Sequence, residues 1–341
     1  MAAERDAPAG CLGHIPSDAS IFARRGLSYP SFASSRPPKE LRGGGRHAIR
    51  ALAWNSDGKV LISSCNDGSA HVWNPDRGSD VRPTHPDLLA TGSIDKTVRL
   101  WDLRMPQAAR VVQTPGSNIN LTYHPNGRYI ALGDKSETVS CIDATQGEFL
   151  YTIKDGAIDR QEINELAWSP DGRYLLMPTG NGSVTFLDVP DAPDACARTH
   201  SSARHPDWKL AAEHFAHPAT IFCLQWDPTS RLVATAAADS TIGLWNADEW
   251  TCAHVFSEFK YPARSLSFSH DGEWLAAGGE DTQVHIMSTA TGNVAHRLDV
   301  TGATNAVAWH PSRQILAYSG SEPATVPAPA RTPPIWLYSV P

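Results

Sequence analysis

A seven-residue string recurs along this chain: Asp67-Gly-Ser-Ala-His-Val-Trp73, Asp95-Lys-Thr-Val-Arg-Leu-Trp101 and Asp239-Ser-Thr-Ile-Gly-Leu-Trp245. Each copy opens with an Asp suited to a tight turn and continues through a small or hydroxyl residue. It ends as an alternating strand closed by Trp. Weaker copies close on Ile142, Leu187, Met287 and Tyr338. The seven anchors are separated by 28, 41, 45, 58, 42 and 51 residues. Three of these intervals match the ~40–45 residues that one four-stranded repeat requires.

A second signal precedes the first. Trp54-Asn-Ser-Asp-Gly58, Tyr123-His-Pro-Asn-Gly127, Trp168-Ser-Pro-Asp-Gly172, Trp226-Asp-Pro-Thr-Ser230, Phe268-Ser-His-Asp-Gly272 and Trp309-His-Pro-Ser-Arg313 are six versions of one hairpin. In each, an apolar strand ends on an aromatic, turn-forming residues reverse the chain, and another apolar strand follows. A four-stranded antiparallel sheet cannot bury both faces alone, so such sheets stack radially and each covers its neighbour. The expected fold is therefore all-β, a seven-bladed β-propeller, with the anchor aromatics wedged between blades.

The best repeats also carry a recurring polar set. Ser63, Thr91 and Thr235 stand ten residues before Trp73, Trp101 and Trp245; Asp67, Asp95 and Asp239 stand six before. His47 and His217 precede the first strands of blades one and five. Hydroxyl, carboxylate, imidazole and indole N–H are mutually complementary donors and acceptors. His47, Ser63 and Asp67 also read as a catalytic triad. Blade five repeats the set as His217, Thr235 and Asp239, however, and a structural bracket should recur where an active site need not.

Composition narrows the function classes. The formal net charge is -7 and the sequence pI about 6.0, which opposes the broad basic stripe of a domain built to grip phosphates. The six cysteines (Cys11, Cys65, Cys141, Cys196, Cys223, Cys252) contain no C-x-x-C pair and read as small hydrophobes of a reducing compartment. No stretch reaches the ~18 apolar residues of a membrane span, and the charged N-terminus leads into no apolar signal core. His200 and His205 lack companion ligands, and Gly43-Gly-Gly45 lacks the Lys of a phosphate loop. Neither a metal nor another cofactor is expected, nor a small-molecule substrate.

Asp67…Trp73-Asn and Asp95…Trp101-Asp are those of the WD40 repeat. Beyond the repeat, particular segments in order resemble the Tex-type WD-repeat subunit of the THO/TREX complex. They are Asp87-Leu-Leu-Ala-Thr-Gly-Ser-Ile-Asp-Lys-Thr-Val-Arg-Leu-Trp-Asp102, Asn118-Ile-Asn-Leu121, Glu162-Ile-Asn-Glu-Leu-Ala-Trp168, Thr179-Gly-Asn-Gly182 and Arg264-Ser-Leu-Ser-Phe-Ser-His-Asp-Gly272. The third and fourth blades, without an anchor Trp, share the likeness, which runs from about His47 to Pro341. It implies a nuclear, non-catalytic scaffold that couples transcription to mRNA processing and export. Its partners would be other THO/TREX subunits, with RNA met only through the assembly. The alternative is a peptide-reading WD40 adaptor, a histone-tail reader or ubiquitin-ligase substrate receptor. Trp208 and Trp250, outside the repeat registers, are candidate interface aromatics.

Three regions depart from the repeat. Residues 1–40 read as largely disordered, ahead of a propeller over 41–341, although Ser28–Leu41 could supply the outer strand of the last blade. Loops are expected near 190–207 and 321–334. Most unusually, Asn74 to Thr84 cannot supply both the outer strand of blade one and the inner strand of blade two, so blade two is incomplete. Either that blade is natively degenerate, or about fifteen residues were lost to a gene-annotation or splicing error, given the ~40–45 of a full blade. Transcript reads across Trp73 to Trp101 decide between them, and clean reads encoding the interval as written exclude the loss.

Overall fold

The structure, a computed structural model, describes residues 32, 37–41, 48–65, 69–75, 79–80, 88–102, 105, 107–152, 162–189, 208–320 and 334–340. They form seven antiparallel sheets, the blades of a propeller. From the axis outward, blade one comprises Ile49–Trp54, Leu61–Cys65, Ala70–Asn74 and the short Ser79–Asp80. Blade three (Asn118–Tyr123 to Glu148–Thr152), blade five (Ile221–Trp226 to Cys252–Phe256) and blade six (Ala263–Phe268 to Val294–Asp299) each have four strands. Blade four does too (Ala167–Trp168 to Lys209–Phe215), its inner strand prolonged by an isolated bridge between Ile163 and Thr179.

The six hairpin turns form as their residue types dictate. Gly58, Gly127, Gly172 and Gly272 occupy left-handed φ between 71° and 77°, a region open to glycine at no steric cost. Blade five places Ser230 at the same point, φ 62°, where a side chain is strained.

The anchors lie on the third strands and face the preceding blade. Trp73 shares a core cluster with Ala317, Ile335 and Leu337 of blade seven, and Tyr338 shares one with Trp274 and Ile286 of blade six. Ile142, Leu187 and Met287 pack likewise on blades two, three and five. Burying Trp73 is worth of order 4–6 kcal/mol as an upper estimate from its area. Cys65, Cys141 and Cys223 fill gaps in these clusters, while Cys252 is exposed; Cys11 and Cys196 lie outside the described residues.

Blade two has three strands among the described residues: Leu88–Gly92, Thr97–Asp102 and Arg110–Gln113. Among the described residues the interval after Asn74 thus yields one short outer strand, with Trp73 opposite Asp80, and no inner one. The seam between blades one and two is correspondingly thin. Among the described residues its cluster has only Val60 and Ile62 buried, flanked by Val72 and Leu89.

The ring closes through both ends of the chain. Lys39–Leu41 pairs with Ile335–Ser339 as the outer strand of blade seven, Leu41 opposite Ile335. Leu41 is buried, and the Lys39 ammonium donates to the Pro75 carbonyl of blade one at 2.7 Å. Upstream, Phe32 stacks on His296 (centroids 5.1 Å apart) and meets Trp274 edge-on at 5.2 Å. Residues 1–31, 33–36 and 42–47, the loop expected over 190–207 and all but Pro334 of the loop expected over 321–334 lie outside the described residues.

Removing residues 1–46 deletes both Leu41 and Phe32. A fully buried Leu or Phe is worth ~1.5–3 kcal/mol, so the midpoint of thermal unfolding should fall by roughly 5 °C or more. Phe32→Ala alone should cost less. A truncated chain that melts like the intact one would exclude closure by the N-terminal strand.

Candidate functional site

In blade five the four polar groups meet. Trp245 Nε1 donates to Thr235 Oγ1 at 2.8 Å, and Thr235 Oγ1 lies 2.8 Å from His217 Nε2. His217 Nδ1 lies 3.1 Å from Asp239 Oδ2, and Asp239 Oδ1 accepts the Thr241 hydroxyl (2.7 Å) and amide (2.9 Å). One proton assignment satisfies the whole chain: His217 carries its proton on Nδ1 for Asp239, and its bare Nε2 accepts from Thr235. Thr235 is fully buried and His217 nearly so. Burial pushes the Asp239 carboxyl upward, but hydrogen bonds from the Thr241 hydroxyl and amide and from His217 outweigh it, leaving a stronger acid than usual.

The other copies are partial. In blade one Trp73 Nε1 donates to Ser63 Oγ at 2.9 Å; His47 and Asp67 lie outside the described residues. In blade two Trp101 Nε1 reaches Thr91 Oγ1 at 2.9 Å. There Asp95 binds the Thr97 hydroxyl and amide as Asp239 binds Thr241, but its Oδ2 takes Arg99 at 2.9 Å instead of a His. The Thr97 hydroxyl chiefly draws the Asp95 carboxyl down to about 2.

Trp208 and Trp250 are not surface aromatics. Trp208 is buried edge-on against Trp168 (5.7 Å) with Leu187 and Val189. Trp250 stacks nearly parallel on Trp245 at 5.4 Å and meets Phe186 edge-on. Both follow polar, turn-rich stretches that mimic exposure in the sequence, yet each indole covers the seam beside its own blade.

A further set of residues, missed by the sequence reading, stitches the inner strands together. Glu165 of blade four accepts the Leu224 amide of blade five (3.2 Å), and Gln225 of blade five accepts the Phe268 amide of blade six (2.8 Å). Ser265 and Ser267 of blade six accept the Val307 (3.1 Å) and Trp309 (2.9 Å) amides of blade seven. Asn120 donates from blade three to the Ile163 carbonyl, and Trp54 of blade one donates back to the Ala308 carbonyl at 3.0 Å. Below them, His124 Nε2 meets the Gly172 carbonyl (3.0 Å) and His310 Nε2 the Gly58 carbonyl (2.9 Å). The available signal was polar residues at the third and fifth places of otherwise apolar strands.

These inner strands line a central opening of about 470 Å³. Its wall includes Arg50, Glu165 and Arg264. Arg264 lies over the Phe222 ring at 3.8 Å and pairs with Glu280 at 3.1 Å. Glu165 lies deep in the molecule while keeping contact with the opening, and burial pushes its carboxyl up to about 7. Among the described residues no group of three or more His, Cys, Asp or Glu could hold a metal, and no helix is long and apolar enough to cross a membrane.

Blades, anchors and brackets together define a WD40 β-propeller, a class whose members generally act as non-catalytic scaffolds. The family described as WD domain, G-beta repeat, matches residues 36–74, 83–102 and 208–246, and the Anaphase-promoting complex subunit 4 WD40 domain matches 257–312. THO complex subunit 3 of Arabidopsis thaliana is 31% identical over 298 residues, covering 82% of this chain and 88% of that protein. WD repeat-containing protein AAC3 of Dictyostelium discoideum is 25% identical, over 81% of this chain and 62% of its own length. The Cps50 (Swd1) β-propeller domain of Myceliophteria thermophila is alike in fold, with TM-score 0.71 at 19% identity, over 90% of this chain and all of that one. The chain belongs to the THO complex subunit 3 family.

Thr235→Val should leave the Trp245 indole and His217 without their shared partner, at ~1–3 kcal/mol for each buried group left unpaired. Thr91→Val should cost less, because its bracket has no His among the described residues and is half-buried; equal losses in denaturant unfolding would contradict this. Asp239 is the stronger acid when folded, so it adds stability above the ordinary carboxylate range that disappears as pH falls through its depressed value. Asp239→Asn should therefore flatten the acid limb of stability against pH, and a limb unchanged in slope would refute the assignment.

Proposed function

We propose that this chain is the WD-repeat scaffold of a THO-type assembly, working in the nucleus to couple transcription to mRNA processing and export. The observation that carries the reading is 31% identity to a THO subunit over 82% of this chain and 88% of that protein. The geometry supports it physically: stitched blades make a rigid disc, and variable loops on such a disc can hold several partners at once. Its partners are other THO/TREX subunits. With a net charge of -7, the disc reaches RNA through the assembly and not by a phosphate-gripping face of its own.

We read the polar bracket as structural and the protein as non-catalytic. Thr235, the only candidate nucleophile of the complete bracket, is sealed from solvent, and its hydroxyl already serves Trp245 and His217.

Affinity purification of the tagged chain from nuclear extract, followed by mass spectrometry, tests the assignment. THO subunits should appear at stoichiometric yield. Recovery of ubiquitin-ligase or chromatin subunits in their place would overturn it in favour of a peptide-reading adaptor.

A further inference from the structure

The inner strands share one chemistry, and blade two has no copy among the described residues. Aligned, they read Ile49-Arg-Ala-Leu-Ala-Trp54, Asn118-Ile-Asn-Leu-Thr-Tyr123, Ile163-Asn-Glu-Leu-Ala-Trp168, Ile221-Phe-Cys-Leu-Gln-Trp226, Ala263-Arg-Ser-Leu-Ser-Phe268 and Thr304-Asn-Ala-Val-Ala-Trp309. The fourth place is Leu or Val and the sixth is aromatic in every strand. The third and fifth side chains face the next blade, as Ser265 and Ser267 show by accepting amides of blade seven.

Three borders of the gap are incomplete. Ala306 and Ala308 of blade seven are 4% and 8% exposed beneath blade one, whereas the equivalent Ala51 and Ala53 of blade one are exposed. The inner edge of Leu88–Gly92 has no strand partner among the described residues. On the far side stands Tyr123, at the sixth place, where Trp54 and Trp168 donate to carbonyls of the preceding inner strand (Ala308 and Thr122). The Tyr123 hydroxyl is buried without a hydrogen-bond partner among the described residues. The stretch of sequence before Leu88 is also short for an inner strand and its two connections. Seven residues (81–87), two of them Pro, separate the outer strand of blade one from Leu88, whereas 15 (114–128) and 16 (216–231) do the same work before blades three and five.

We propose that blade two is completed in trans, by an extended segment of a partner protein lying along Leu88–Gly92. An unpaired strand edge is a ready template for another extended backbone. The borders specify the segment: Leu or Val to enter the interblade core, then, two residues on, an aromatic over Ala53. A donor so placed supplies the carbonyl that Tyr123 lacks. The proposal goes beyond the assignment to a THO-type assembly and stands whichever assembly supplies the strand.

The probe is a synthetic peptide of this chain's residues 300–311, which contain the blade seven inner strand, added to the full-length protein. At saturation the unfolding midpoint should rise by several degrees, and amide exchange over Leu89–Gly92 should slow tenfold or more. Ala53→Glu should abolish both effects while leaving the midpoint without peptide unchanged, since Ala53 is exposed. The same peptide with Pro at the place of Val307 should have no effect. Absence of any shift or protection, or an equal response to the Pro peptide, would overturn the proposal. So would amides already protected without peptide, whether by this chain's own residues, by a second copy in a concentration-dependent dimer, or by a strand that the transcript adds before Leu88.

Discussion

Each inner strand of this propeller has a sheet partner on one side only. Its other edge turns toward the axis with amides and carbonyls that must find partners or remain unpaired at a cost of about 1–3 kcal/mol each when buried. The neighbouring blade supplies those partners through side chains: Glu165 for Leu224, Gln225 for Phe268, Ser265 and Ser267 for Val307 and Trp309. Much else follows from that requirement. It fixes the handed order in which blades lean on one another, and it puts short or amide-bearing residues where a strand would otherwise carry hydrophobes. It also makes the ring's integrity a property of all its members. Among the described residues blade two has no inner strand, the stitching stops there, and the hydrophobic seam beside it is reduced to Val60 and Ile62 with two flanking residues.

Outside this inner ring, stability is shared between apolar wedges and polar brackets. The wedge needs only bulk, so Ile142, Leu187 and Met287 replace Trp without leaving the core. The bracket needs completeness, because a desolvated donor without an acceptor costs more than an apolar side chain in its place. Blade five has the whole set and buries it. Blade two, without the His, leaves Asp95 and Arg99 to pair in solvent, where screening makes such a pair worth little.

Much of this was legible in the residues. The ten-residue interval from hydroxyl to Trp proved to be a hydrogen bond in all three copies, since both lie on adjacent antiparallel strands across a fixed Asp turn. The closing strand, expected within Ser28–Leu41, forms over Lys39–Leu41, where alternation survives after the prolines. The stitching was not legible, because its partners stand 42 to 59 residues apart, or 254 where the ring closes, and belong to different sheets. Trp208 and Trp250 could be read as interface aromatics or as locally packed, and each meets a neighbouring aromatic, Trp208 edge-on and Trp250 stacked.

By itself, then, the sequence determined the number of blades, the register of every anchor and turn, and the shortage of chain in blade two. All of these are set by periodicity and by local hydrogen bonding within one repeat. The tertiary structure alone decided which polar residues act between blades, which three residues form the closing strand, and that Ala51, Ala53 and Tyr123 stand along one open border. Those outcomes depend on which groups face each other across a seam, and no spacing within a single repeat records that.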